Sequence, residues 1–168
     1  YNDPLTFKTA GNITSGSAFT LTGGASETAH LTLWSDADNN ADGHILIHDG
    51  SALDTNGGNL VMAGGADTNS DGRPDGFATS VTSGISGVGI GRNSSSATST
   101  TAIRSDGGNI VIKGKSTGGG QGMGINSSYG GTLNAGTGTL TMTGESSSYA
   151  GIELSAWLDS GGASYLDI

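Results

Sequence analysis

Gly57-Gly58-Asn59-Leu60-Val61-Met62 sets two bulky apolar residues one position apart directly after a glycine turn. The pattern returns at Gly107-Gly108-Asn109-Ile110-Val111-Ile112 and, behind Gly136-Thr137-Gly138, at Leu140-Thr141-Met142. Leu5/Phe7, Leu31/Leu33 and Leu166/Ile168 are pairs of the same kind, so the second members stand at positions 7, 33, 62, 112, 142 and 168. Successive pairs are 26 to 30 residues apart, except that 50 residues separate Met62 from Ile112. A period of this length, kept along a whole chain, marks a repeat architecture.

Each period carries two further apolar sites. The second is Ile13, Ile45/Ile47, Val88/Ile90, Met123/Ile125 and Ile152/Leu154; the third is Phe19, Leu53, Ile103, Leu133 and Leu158. Apolar and polar residues alternate with period two, and no stretch keeps helical spacing for three turns, so these sites read as short strands. Three such strands nearly exhaust one period and cannot pair with each other. Each must bond in parallel to its equivalent in the next period, about 4.8 Å away. The expectation is an all-β chain forming a parallel β-helix: one domain over 1–168, about five coils of three short strands, with glycines at the corners.

In this arrangement the apolar ladders face inward. His30, Thr32 and Trp34, Asn59 and Val61, Asn109, Val111 and Lys113, and Thr139, Thr141 and Thr143 face outward. The surplus of the long period falls in 66–83 and 93–100, which are expected to project as loops and to carry recognition. Neither end of the sequence shows a cap. The expectation is therefore that the sheet continues, either in a longer stem or by copies stacking head to tail into a filament.

Composition narrows the function. With 32 glycines and 5% aromatic residues, the core of this 168-residue chain must be thin. A net charge of −9 repels phosphate backbones and anionic lipid, so nucleic-acid partners are not expected. No apolar run approaches the ~20 residues that span a bilayer, so membrane insertion is not expected either. Without cysteine, neither disulfides nor thiol chemistry is available.

Asp36, Asp38, Asp42, Asp49, Asp54, Asp67, Asp71 and Asp75 crowd into forty consecutive positions, and such a cluster repels itself unless a cation neutralises it. Two stretches share the spacing Asp-x-Asn-x-Asp-Gly: Asp38, Asn40, Asp42 and Gly43, then Asp67, Asn69, Asp71 and Gly72. Oxygen ligands at positions one, three and five, glycine at six and a carbonyl at seven are how a short loop wraps calcium. The carbonyls would be those of His44 and Arg73. Asp75 adds a carboxylate at position nine of the second loop, while Asp36 precedes the first and Asp49 stands at its position twelve. Asp, Asn and Gly are also the commonest turn formers, but a turn needs only two or three of them.

Leu31-Thr-Leu-Trp-Ser-Asp-Ala-Asp38, Gly43-His-Ile-Leu-Ile47 and Asp54-Thr-Asn-Gly-Gly-Asn-Leu-Val-Met-Ala-Gly-Gly65 resemble the passenger repeats of filamentous-haemagglutinin-type adhesins, exoproteins of bacterial two-partner secretion. The segments around Ile110–Ile112 and Leu140–Met142 resemble them too. The resemblance implies a right-handed β-helix, secretion to the cell surface, and adhesion, biofilm or filament building. Its partners would be glycans or proteins of host or neighbouring cells.

An enzyme is not expected. His30, His44 and His48 lack a fourth ligand fixed by spacing, and Arg73, Arg92, Arg104, Lys113 and Lys115 do not fall on one face with paired carboxylates. The alternative reading is a carbohydrate-binding or polysaccharide-degrading β-helix. Asn12, Asn93 and Asn126 stand in N-glycosylation acceptor triplets.

Overall fold

The computed structural model describes residues 4–24, 28–92, 100–127, 131–154, 157–158 and 166–167. Among them there is no helix, and the strands form three parallel sheets. Sheet 1 runs β1 (Leu5–Lys8), β4 (Leu31–Ser35), β7 (Leu60–Gly64), β11 (Ile110–Ser116), β14 (Leu140–Ser146) and β17 (Leu166–Asp167), with β8 (Ala78–Ser80) beside β11. Sheet 2 is β2 (Ile13–Thr14), β5 (Ile45–His48), β9 (Val88–Arg92), β12 (Ile125–Ser127) and β15 (Ile152–Leu154). Sheet 3 is β3 (Thr20–Thr22), β6 (Ala52–Asp54), β10 (Ala102–Arg104), β13 (Thr132–Asn134) and β16 (Trp157–Leu158). Every coil contributes one rung to each sheet, which is the parallel β-helix that the spacing predicts.

Like sits over like. Leu31 pairs with Leu60, Leu60 with Ile110 and Ile110 with Leu140, while Leu33, Met62, Ile112 and Met142 form the ladder beside them. In sheet 2 Ile45 pairs with Val88, Val88 with Ile125 and Ile125 with Ile152. In sheet 3 Leu53 pairs with Ile103 and Ile103 with Leu133. These ladders meet in one continuous core, and each buried Leu or Ile contributes about 1.5–3 kcal/mol relative to exposure.

The corner leading into sheet 1 explains the Gly-Asn signature. Thr55 and Ser105 hydroxyls turn inward and donate to the carbonyls of Gly58 and Gly108 at 2.5 and 2.6 Å. Asn109 N–H donates to Asn59 Oδ1 and Thr139 N–H to Asn109 Oδ1, each at 2.9 Å, so the asparagines stitch coil to coil. A Cβ on Gly108 would run into the carbonyl oxygen of Gly58, which leaves room for glycine alone.

Some assignments shift. Leu21, rather than Phe19, pairs with Leu53; the two share a face in Phe-Thr-Leu-Thr, and pairing with Ala52–Asp54 selects the later one. Ile125 takes the place opposite Val88, so Ser127, fully buried, follows it where other coils carry Ile90 or Leu154. Trp34 lies outside the core cluster, yet it is 3% exposed. Its ring N–H donates to Gly65 O at 2.7 Å and Lys8 Nζ covers its face at 3.5 Å.

The surplus of the long period is divided. The chain leaves sheet 1 after β7, crosses its own neck through a Gly64–Gly76 bridge, and returns as β8, in register with Gly114–Ser116 of β11. Residues 65–77 are thus the projecting loop, whereas 78–80, expected within it, are sheet. Residues 93–99 of the second expected loop lie outside the described residues. At the first coil Leu5 and Phe7 are 43% and 46% exposed.

Candidate functional site

Two Asp-rich loops leave sheet 1 from adjacent rungs, one after β4 and one after β7. In the second, Asp67 accepts the N–H of Asp71 at 3.1 Å and of Gly72 at 2.9 Å. Asn69 Oδ1 accepts Asp71 N–H at 3.0 Å and Asp71 Oδ1 accepts Arg73 N–H at 2.9 Å. Ser70 and Gly72 adopt φ of 62° and 81°, and these left-handed residues curl the backbone around the side-chain oxygens. Asp75 closes the loop from its far end. Its carboxylate accepts the N–H and the hydroxyl of Thr68 at 2.7 and 2.5 Å, which hold it below the usual carboxylate range, the hydroxyl contributing most. Lys113 Nζ anchors the same turn by donating to Asp75 O at 3.0 Å.

The first loop has this geometry two residues earlier than its sequence motif indicates. Asp36 accepts the N–H of Ala41 at 3.0 Å, and Asn40 Oδ1 accepts Asp42 N–H at 2.9 Å. Asn39 and Ala41 are left-handed, with φ of 56° and 66°, and so is Asp36 itself, at 51°, which Asp67 is not. Asp36, Asp38 and Asn40 therefore correspond to Asp67, Asn69 and Asp71, and the seventh residue is Asp42.

His44, the expected carbonyl donor, lies outside the loop. Its carbonyl accepts Ile13 N–H at 2.9 Å in sheet 2, and its own N–H donates to Asn12 Oδ1 at 2.9 Å. Gly43 is not the loop's turn glycine either; its N–H and carbonyl both bond Thr79, and a Cβ there would strike the backbone of Asp36.

The sequence signal for Asp36 is its spacing from Asp38 and Asn40, which the glycine at the sixth position counted from Asp38 overshadows. Asp36 is also the buried member, 2% exposed. Loss of water raises its carboxyl above 3.8, nearby Asp38 adds to the rise, and N–H groups of Asp42, Ala41 and Asn40 partly offset it.

The first loop thus offers the carboxylates of Asp36 and Asp38 and the amide oxygen of Asn40, and the second those of Asp67 and Asp71 and the amide oxygen of Asn69, with Asp75 as a further carboxylate at its far end. Carboxylate and amide oxygens with a seventh-position carbonyl are the donor set that suits calcium. Among the described residues no three His, Asp or Glu side chains stand close enough together to form a metal-holding group. The loops touch: Asn39 Oδ1 lies against Gly65, whose added Cβ would stand 3.2 Å away.

The remaining candidates are dispersed. His30 Nδ1 accepts Asn59 N–H at 3.0 Å, and His48 Nδ1 meets Asp49 O at 3.0 Å. Lys115 pairs with Glu145 at 2.7 Å, and Arg104 is exposed at the end of β10. Of the glycosylation acceptors, Asn12 is exposed, Asn126 is 5% exposed with its amide on Met123 Sδ at 2.9 Å, and Asn93 lies outside the described residues. Burial of Asn126 leaves no approach for a glycan.

Comparison of the chain with protein-family models, with curated proteins and with solved structures gave no match. The likeness to filamentous-haemagglutinin-type passengers rests on the sequence segments alone. No helix among the described residues is long and apolar enough to cross a membrane.

Proposed function

We propose that this chain is a structural and adhesive module of a secreted or cell-surface protein, a β-helical stem stiffened by calcium at its two Asp-rich loops. The observation that carries the reading is the pairing of those loops. Two sequences that differ at most positions share, on adjacent rungs, a leading carboxylate that accepts the N–H five residues on, a fifth-residue oxygen that accepts the seventh N–H, and left-handed fourth and sixth residues. Asp36, Asp38, Asn40 and the Asp42 carbonyl would hold one ion. Asp67, Asn69, Asp71, the Arg73 carbonyl and Asp75 would hold the other.

An ion there neutralises clustered carboxylates and ties each loop to the column. Function on such a scaffold belongs to what projects from a rigid stack, and residues 65–77 are the largest described projection. End-to-end association belongs to the same proposal, because a parallel β-helix presents unpaired strand edges wherever a column ends.

Two measurements test the reading. Beads coated with the chain are expected to adhere to cell layers or glycan surfaces more than uncoated beads do. A chelator is expected to lower the melting temperature, because an ion that binds only the folded form stabilises it. Equal adhesion of coated and bare beads removes the adhesive role, and identical melting with and without millimolar calcium removes the metal.

A further inference from the structure

The projecting loop folds back over the outward face of sheet 1 and leaves a cleft of about 220 Å³ between them, lined in part by Thr6, His30, Thr32, Asn59, Asp71 and Arg73. We propose that this cleft binds a pyranose ring that carries a carboxylate. Thr6 and Thr32 stand on neighbouring rungs and pave the floor, His30 and Asn59 rise at the corner, and Asp71 and Arg73 form the opposite wall.

The bonds already made fix what each group can offer. His30 Nδ1 accepts Asn59 N–H, so in the neutral ring the proton sits on Nε2 and that edge donates. Asn59 Oδ1 accepts Asn109 N–H, which leaves the amide NH2 as the group for a ligand. Asp71 turns one oxygen to Arg73 N–H at 2.9 Å and the other to the Asn69 amide at 3.4 Å, both within its own loop, where the proposed ion would also draw on it. The Arg73 side chain is exposed, with a planar fork of donors.

A cleft richer in donors than in acceptors selects a ligand rich in oxygen acceptors. One guanidinium matches one carboxylate in bidentate fashion, while hydroxyls of a ring meet Thr32, Asn59 and His30. The surrounding field, net −9, disfavours polyphosphates and densely sulfated chains, for which a single arginine is too little compensation. The volume admits a single ring rather than a long oligomer. This assignment rests on the adhesive reading in one respect only: it names what the projecting surface would hold.

The test is calorimetric titration of the whole chain, at one fixed calcium concentration, with glucuronate, galacturonate, N-acetylneuraminate and neutral methyl glucoside. Saturable binding of at least one acidic sugar is expected, weaker by roughly tenfold or more for the neutral sugar and for Arg73→Ala, and partly retained in Arg73→Lys. Thr32→Val, which keeps shape and removes a hydroxyl, is expected to weaken binding several-fold. The acidic arms separate a uronate from a sialic acid. Equal affinity for the neutral sugar, unchanged binding by Arg73→Ala, or no saturation by any acidic sugar overturns the proposal. Adhesion of coated beads, measured alongside, separates the two readings: adhesion without acidic-sugar binding defeats the cleft alone, and sugar binding without adhesion defeats the module's proposed role alone.

Discussion

Asp36 and Asp67 hold the same place in two loops of different sequence. Each accepts a backbone N–H five residues ahead, from Ala41 and from Gly72, at 3.0 and 2.9 Å. In both, the fourth and sixth residues are left-handed, and Ala41 adopts a φ that the second loop assigns to glycine. A non-glycine residue in that region is a cost that the surrounding bonds must offset.

Lys113→Met should free the projecting loop without unfolding the column. The lost bond to Asp75 O is worth about 1 kcal/mol, and the methionine stem still covers the sheet. Hydrogen exchange is expected to quicken across 66–76 while the amides of Ile110 and Ile112 stay protected. Uniform exchange in both chains would mean that the loop is held by something else.

Gly108→Ala and Gly119→Ala separate close approach from mere flexibility. A Cβ at Gly108 runs into Gly58 O, whereas Gly119 has open space. The first variant is expected to lose on the order of 3 kcal/mol or to fail to fold, and the second to stay within about 0.5 kcal/mol of the parent by urea unfolding. Comparable losses at both would contradict the coil spacing.

Ile110→Ala removes the middle of the longest ladder, between Leu60 and Leu140. Neighbouring coils pin the backbone on both sides, so the cavity cannot collapse fully and the expected loss is about 2–5 kcal/mol. Ile13→Ala, at the open first coil where the residue is only partly buried, should cost clearly less. Calorimetry or urea titration orders the two.

In chelator, acidification should act on the two loops with opposite signs. Asp36 has a folded value raised above 3.8 by burial, so its charge costs stability at neutral pH, and that cost fades as pH falls through the folded value towards 3.8. Asp75 is lowered by its Thr68 bonds, so its stabilisation is present above 3.8 and is lost as pH falls through the folded value. Relative to Asp36→Asn, the parent is expected to gain stability on going from neutral pH towards 4. Relative to Asp75→Asn, it is expected to lose its advantage below 4. A pH-independent difference in either comparison would contradict the assigned cause.

The column was legible because its cause is local and periodic: alternating residues bury one face, and a 26 to 30-residue repeat puts Leu31, Leu60, Ile110 and Leu140 in one ladder. What misled were choices made by contacts between coils. Phe19 and Leu21 alternate equally well, and only the β6 strand decides between them. Gly43 resembled a turn glycine although packing against Asp36 and pairing with Thr79 are its reasons. Trp34 points outward as alternation requires, yet a loop thirty positions on buries it. The cleft was invisible in sequence because its walls, Thr6, Asn59 and Arg73, meet only when three separate segments stack.

Calcium stoichiometry in three chains tests the central claim most directly. Isothermal titration of the parent should show two ions per chain, Asp36→Asn should retain one, and Asp42→Asn, whose side chain lies outside the donor set, should retain both. No calcium uptake by the parent, or an ion lost in Asp42→Asn and kept in Asp36→Asn, would contradict the account.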